Sequence, residues 1–247
     1  MVRTGQARNL PKIHTSNYCV AYLDVLGAKK FMKKSDNDKF LNDLHSIYYD
    51  AIDNVSFVSE VANKDIYIKI FSDNILLAIE IYENDELRKP KIEKIINLTG
   101  NIYNNALCHG YLLRGAITEG SFYKNSYNDV FVYGKALIDA VEIEEELAIY
   151  PRVVAQKSIQ ETLPQYFEEC ADGNFILQNF IFHPGFPEIY KQNLLEIYKK
   201  SYKNEKVKQK IMWIISFFNS YYVHSITNVQ ITKEDLIKAT RKEVQNV

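Results

Sequence analysis

An α+β fold with a ferredoxin-like core and a helical C-terminal extension is what this 247-residue sequence predicts. Three observations carry the expectation. Two apolar, strand-like runs each end at an aspartate, Asp24 after 18–23 and Asp73 after 66–71. Strand-like and helix-like segments follow one another in the order β-α-β-β-α-β, the ferredoxin-like pattern. From about residue 156 the chain becomes mostly helical in pattern.

The elements follow from the N-terminus onward. Residues 1–16 are polar with basic residues and read as a loose arm. Residues 17–26 are nearly all apolar, as in a strand buried on both faces. A short helical piece follows Gly27. Ser35 to Asp38 offer caps for a helix carrying Phe40, Leu41, Leu44, Ile47, Tyr48 and Ala51 at helical spacing. Residues 66–71 and 74–82 are β-rich and split by Ser72-Asp73-Asn74, a tight hairpin signal. A second helix is expected over 91–106, with Ile92, Ile95, Ile96, Leu98 and Tyr103 inward. A strand at 111–118 leads to Gly120 and an Asn/Ser/Tyr-rich loop over 121–128. A short strand at 130–133 opens into a helix over 135–146, and 153–155 reads as another strand. Further on, Val207, Ile211, Ile214, Phe218 and Tyr222 form an apolar stripe around Trp213, the only tryptophan. Thr232-Lys233-Glu234-Asp235 has the form of a capping box for a final helix. No Pro/Gly/Ser linker intervenes, so 1–160 reads as the core and 161–247 as a helical extension packed on it.

Composition narrows the function. Hydrophobic residues make up 47% and charged residues 25%, which is ordinary for a globular chain. A net charge of -1 supplies no global positive field, which argues against coating a nucleic acid. Cys19, Cys108 and Cys170 are scattered, and the five histidines are dispersed, so neither a disulfide framework nor a zinc site is expected. No apolar run reaches membrane-spanning length and no signal-peptide h-region opens the chain, so a cytoplasmic protein without direct membrane contact is expected.

The two aspartates are the residues that ask for a chemical reason. In a ferredoxin-like order the first strand lies beside the hairpin, which lets Asp24 and Asp73 approach at one sheet edge. Two carboxylates at 4 Å repel by roughly 4 kcal/mol at an effective dielectric near 20. A divalent cation removes that repulsion and makes a metal site suited to phosphate chemistry. The plainer alternatives are a turn residue for Asp73 and a strand-end cap for Asp24.

Several segments together resemble the class III nucleotidyl cyclases. They are Tyr22-Leu23-Asp24-Val25-Leu26-Gly27, Phe71-Ser72-Asp73-Asn74, Arg114-Gly115-Ala116-Ile117-Thr118-Glu119-Gly120, Tyr133-Gly134-Lys135-Ala136-Leu137 with Ala140 and Glu142, and Tyr150-Pro151-Arg152-Val153. The resemblance spans about 18–160 and is greatest to the bacterial pyrimidine cyclases (PycC) of the Pycsar anti-phage defence system. It implies a class III cyclase catalytic fold in which Asp24 and Asp73 hold two Mg²⁺ or Mn²⁺ ions and Val25 adds a backbone carbonyl. One ion would lower the pKa of the ribose 3′-hydroxyl and the other would grip the triphosphate.

The same resemblance assigns further residues. Lys69 falls where adenylyl cyclases carry a base-reading lysine; the alternative is a solvent-facing strand residue. Phe131 stands where those enzymes keep an aspartate for the adenine amino group, which disfavours ATP. Tyr48 and Tyr49 offer rings for a base, though helical core packing is the commoner role. Arg152 stands where related cyclases hold the terminal phosphates with a lysine. Arg114 has equal claims as a phosphate ligand and as a structural ion pair. Lys135 reads as a solvated first-turn residue within reach of phosphate. The positions of the family's transition-state asparagine and arginine are occupied by Ile138 and Glu142.

The expected function is a homodimeric uridylate cyclase with shared sites. It would convert UTP to 3′,5′-cyclic UMP and pyrophosphate as a second messenger for a separate effector in anti-phage defence. The alternatives are a cytidylate cyclase acting on CTP, a purine cyclase, and a non-catalytic cyclase-like nucleotide-binding domain.

Overall fold

The computed structural model describes residues 13–33, 37–58, 65–125, 131–178, 182–223 and 229–241. The expected N-terminal arm lies largely outside the described residues, as do the cap positions Ser35 and Asp36.

The core begins with β1 (Ser16–Val25), α1 (Ala28–Met32), α2 (Asn37–Val58), the hairpin β2 (Tyr67–Phe71) and β3 (Asn74–Glu80), and α3 (Asp85–Cys108). It continues with β4 (Leu113–Lys124), β5 (Val132–Tyr133), α4 (Lys135–Glu146) and β6 (Val153–Ala155). Then come α5 (Lys157–Thr162), a 3-10 turn at Pro164–Tyr166, β7 (Phe167–Glu169), β8 (Phe175–Leu177), α6 (Pro187–Ser201), α7 (Glu205–Tyr222) and α8 (Lys233–Arg241). The strands run in the order β2-β3-β1-β4-β6-β8-β7, with β5 paired to the far end of β4. The first four strands therefore have the ferredoxin-like order, with β1 antiparallel to both β3 and β4. The fold is α+β, as expected.

The period of two along β1 sends its side chains to two cores. Cys19, Ala21, Leu23 and Val25 face the larger core, which includes Ile47 and Tyr48 of α2 and Ile95, Ile96 and Ile102 of α3. Tyr18 and Val20 face the other side, against Ala116, Phe122 and the α4 residues Ala136 and Ala140. The helix stripes explain the layers. In α2, Phe40, Leu44, Ile47, Tyr48 and Ala51 are buried, but Leu41, expected to point inward, is 64% exposed. It lies on the border of that stripe in the first turns of the helix, which begins at Asn37.

Other boundaries move for identifiable reasons. Helix α3 starts before Pro90 because Asn84 caps it, accepting from the Glu86 amide at 2.9 Å. Strand β4 continues to Lys124, through the segment expected as a loop, because Tyr123 and Lys124 find partners in β5. Two short strands, β7 and β8, join the sheet through β6 inside the part expected to be mostly helical. Three residues each is too short for a period to show in the sequence.

Helices α6 and α7 share the larger core with α3: Tyr190, Leu194, Ile211, Ile214 and Phe218 belong to it. Asn193 donates to the carbonyls of Leu107 and Cys108, both at 2.8 Å, closing the end of α3. The capping box of α8 forms reciprocally. The Thr232 amide donates to Asp235 Oδ2 at 2.9 Å and the Asp235 amide to Thr232 Oγ1 at 3.2 Å.

Two glycines set the geometry near the end of β1. Gly27 turns the chain into α1 with φ +83°. A β-carbon on Gly115 would stand 2.3 Å from the Tyr22 carbonyl oxygen and 2.5 Å from Leu23 Cδ2, so β4 can lie this close to β1 only with glycine there. Gly115→Ala is expected to cost roughly 1–3 kcal/mol. It should be read as a lower urea midpoint with an unchanged slope.

Candidate active site

The sheet register builds the site. Asp24, the penultimate residue of β1, pairs with Asn74 of β3 on one side and Arg114 of β4 on the other. Asn74 immediately follows the two-residue turn Ser72-Asp73, so the hairpin delivers Asp73 beside the end of β1. Asp73 is near enough to push the Asp24 carboxyl upward.

The turn is braced from three directions. Ser72 takes φ 60°, the one left-handed non-glycine among the described residues, at a cost of roughly 1–2 kcal/mol. Its hydroxyl donates to Asp73 Oδ1 at 2.9 Å. The Tyr48 hydroxyl of α2 donates to the Asp73 carbonyl at 2.8 Å. The Tyr22 hydroxyl donates to Asn74 Oδ1 at 2.8 Å. Tyr48 is buried, so it holds the hairpin and does not offer its ring to a base. Tyr49 is exposed and stacks on His45.

Helix α4 adds a third carboxylate. The Thr118 hydroxyl donates to the Ala136 carbonyl at 2.7 Å, pinning the helix start over β4. Eight residues of helix rise about 12 Å and four residues of strand about 13 Å. Running back along β4, α4 therefore carries Glu144 to Arg114. Arg114 Nε lies 2.6 Å from Glu144 Oε1 and 3.1 Å from Asp24 Oδ2. Only the Asp24 contact has hydrogen-bond geometry; the Glu144 contact is an ion pair. Among the described residues neither Nη atom of Arg114 has a hydrogen-bond partner.

This packing perturbs both acids. Burial pushes the Asp24 carboxyl from 3.8 up to about 6; Arg114 opposes the rise and Asp73 adds to it. Burial likewise pushes Glu144 from 4.5 up to about 7, against the pull of Arg114. Glu144 was not visible as a site residue because it sits in the acidic run 142–146. The available signal was its spacing from Ala136 and Ala140, which puts it on the buried face of α4.

The other expected site residues divide between positions beside the aspartates and positions remote from them. Val25 ends β1 next to Asp24, with its side chain buried. Lys69 of edge strand β2 pairs with Leu76, which pairs with Tyr22, so it shares the Tyr22 and Asp24 face of the sheet. Phe131 precedes β5, whose partner Lys124 is ten residues along β4 from Arg114, on the order of 30 Å away along an extended strand. The structure thus does not bring Phe131 to the aspartates within one chain. Arg152 has its main chain beside the site, since the Gly115 amide donates to its carbonyl at 3.0 Å. Its guanidinium is buried and committed instead to Asp172 at 2.5 Å and the Leu147 carbonyl at 2.7 Å. Lys135 is exposed and pairs with Asp139. Ile138 is exposed.

No group of three or more His, Cys, Asp and Glu forms a metal cluster among the described residues. The Asp24 and Asp73 pair nevertheless fits a divalent cation. Two hard carboxylate donors suit Mg²⁺ or Mn²⁺, whose remaining positions are commonly taken by water and substrate phosphates. No described helix is long and apolar enough to cross a membrane.

No protein-family model and no curated protein matches the chain. Several solved structures are similar to it. One is the guanylate cyclase domain of RhGC from Catenaria anguillulae in complex with GTP, at 14% identity over 67% of this chain and 96% of that chain, with a TM-score of 0.46. Another is the non-canonical dimeric guanylyl cyclase domain of the RhoGC fusion protein from Blastocladiella emersonii, at 11% identity over 67% and 96%, with a TM-score of 0.48. A third is the adenylyl cyclase CyaB from P. aeruginosa, at 10% identity over 66% and 92%, with a TM-score of 0.44. With TM-scores below 0.5, the chemistry has to rest on this chain's own residues.

The raised acids fix a pH dependence. Asp24 and Glu144 bind protons more tightly in the folded chain, between 3.8 and about 6 and between 4.5 and about 7. Folding therefore takes up protons there, and their contribution to stability falls as pH rises through that window. Thermal melts of the metal-free protein should show a higher Tm near about pH 5.5 than near about pH 8, with a smaller difference in Asp24→Asn. An unchanged difference in that variant would locate the effect elsewhere. Tyr48→Phe, which deletes the donor to Asp73, should cost about 1 kcal/mol in denaturant unfolding.

Proposed function

We propose that this chain is a divalent-cation-dependent nucleotidyl cyclase. The observation that carries the reading is the meeting of Asp24 and Asp73 at the end of β1, with Arg114 beside them. A fold seldom holds two acidic side chains this close, half-buried, without a use for them. Asp24 and Asp73 would hold the cations, with the Val25 carbonyl beside them. When bound, such cations lower the pKa of the ribose 3′-hydroxyl and neutralise the triphosphate. The 3′-oxygen then forms a bond to the α-phosphorus, its proton leaves to water, and the bond to pyrophosphate breaks. Arg114 has the unpartnered Nη donors that phosphate oxygens need.

The favoured substrate is UTP. Phe131 has no acceptor for an adenine amino group, and Lys69 has the donor that a uracil carbonyl requires. Cyclic UMP acting on a separate effector in anti-phage defence is the corresponding biological role. CTP is the second candidate, since its base also presents a carbonyl. A homodimer with shared sites belongs to the same reading, since Phe131 can join the aspartates only if a second copy supplies it. Phe131, Tyr133 and Ile138 are 52%, 60% and 53% exposed, an apolar surface of the kind a second copy covers.

Incubation of the purified chain with each ribonucleoside triphosphate and Mn²⁺ tests the proposal. Cyclic UMP should be the main product. Asp73→Asn should lower turnover by at least about a hundredfold while leaving the fold intact. Cyclic AMP as the main product would overturn the pyrimidine reading, and no cyclic product from a folded dimer would overturn the cyclase reading.

A further inference from the structure

Glu144 is the only buried acid among the described residues, 3% exposed. Its Oε1 has no hydrogen-bond partner among them and is met only by the 2.6 Å ion pair to Arg114 Nε. A buried carboxylate held for packing alone is costly. The same Nε, with one proton to give, already donates to Asp24. One guanidinium is thus shared between an acid that belongs to the cation pair and an acid that does not. Lys210 of α7 lies within electrostatic range of both Arg114 and Glu144, so the cluster reaches into the C-terminal helices.

We infer that Arg114 is a placeholder cation at Asp24 and that Glu144 is the positioning residue that holds it when a divalent cation takes its place. The inference rests on the reading of Asp24 and Asp73 as the cation site. A divalent cation on Asp24 repels the guanidinium and takes the lone pairs it was using. Glu144, 2.6 Å from the same Nε, keeps Arg114 from swinging into solvent. The Nη atoms stay beside the place where phosphate arrives. Without Glu144, Arg114 has Asp24 as its one remaining carboxylate and competes harder with the incoming cation.

The test is Mn²⁺ binding to the full chain without nucleotide, followed by calorimetry or by the free-ion electron paramagnetic resonance signal. Glu144→Gln should weaken binding about tenfold. Arg114→Gln should bind at least as tightly as the unaltered chain, because the competitor is gone. Adding Glu144→Gln to Arg114→Gln should then change affinity by no more than about threefold. Unaltered affinity in Glu144→Gln, or the same loss in both backgrounds, overturns the positioning role. Should Glu144→Gln fail to fold, Arg114→Gln alone decides, since weaker binding by that variant overturns the placeholder. Binding by the unaltered chain without this coupling sinks only the present inference. No Mn²⁺ binding by the unaltered chain sinks the cation site itself.

Discussion

The Arg114 guanidinium between Asp24 and Glu144 is the interaction around which the site is organised. It brings together β1, β4 and α4, three elements far apart in sequence, and the β2–β3 hairpin adds Asp73 to the same place. Two carboxylates share one guanidinium and Asp73 stands beside Asp24, so the acids of the cluster outnumber its one arginine. Burial raises two of these acids even with Arg114 present. A protein could relieve that excess by replacing an acid with an apolar residue. Its retention in a packed setting is what makes a bound cation the natural complement.

Much of the frame was legible because it follows short-range periodicity. The unbroken apolar run of β1, the Ser72-Asp73-Asn74 break between β2 and β3, and the spacing within α4 each have one simple structural solution. What escaped depends on partners remote in sequence. β4 extends because β5 comes back to it, and β7 and β8 are strands only because β6 offers an edge. Leu41 is apolar and borders the inward stripe of α2, yet it stays exposed among the described residues; its spacing could not announce whether another element covers that edge of the stripe.

The site shows the same division. Asp24 and Asp73 stood out as polar residues ending apolar runs. Arg114 had two equal readings, and the structure gives it the ion pair while leaving its Nη atoms without partners among the described residues. Arg152 has the right chemistry for phosphate, but Asp172 waits for it across a sheet-edge loop that no local pattern announced. Glu144 looked like one more surface acid in an acidic run. Its spacing from Ala136 and Ala140 puts it on one row of α4, and the pinning of Ala136 by Thr118 turns that row inward.

The β2–β3 hairpin has a consequence for how such a chain can diverge. Asp73 is in its turn and Lys69 is on its edge strand, which has a neighbour on one side only. A five-residue stretch of one ribbon would then carry, on the proposed reading, both catalytic competence and the choice of base. A change in the twist of that ribbon moves Lys69 and Asp73 together, so on the same reading a backbone change there would alter base preference and turnover at once. On the proposed reading, exchange of the side chain at 69 would shift base preference with the turn left in place, whereas insertions or deletions in the ribbon would displace Asp73 itself.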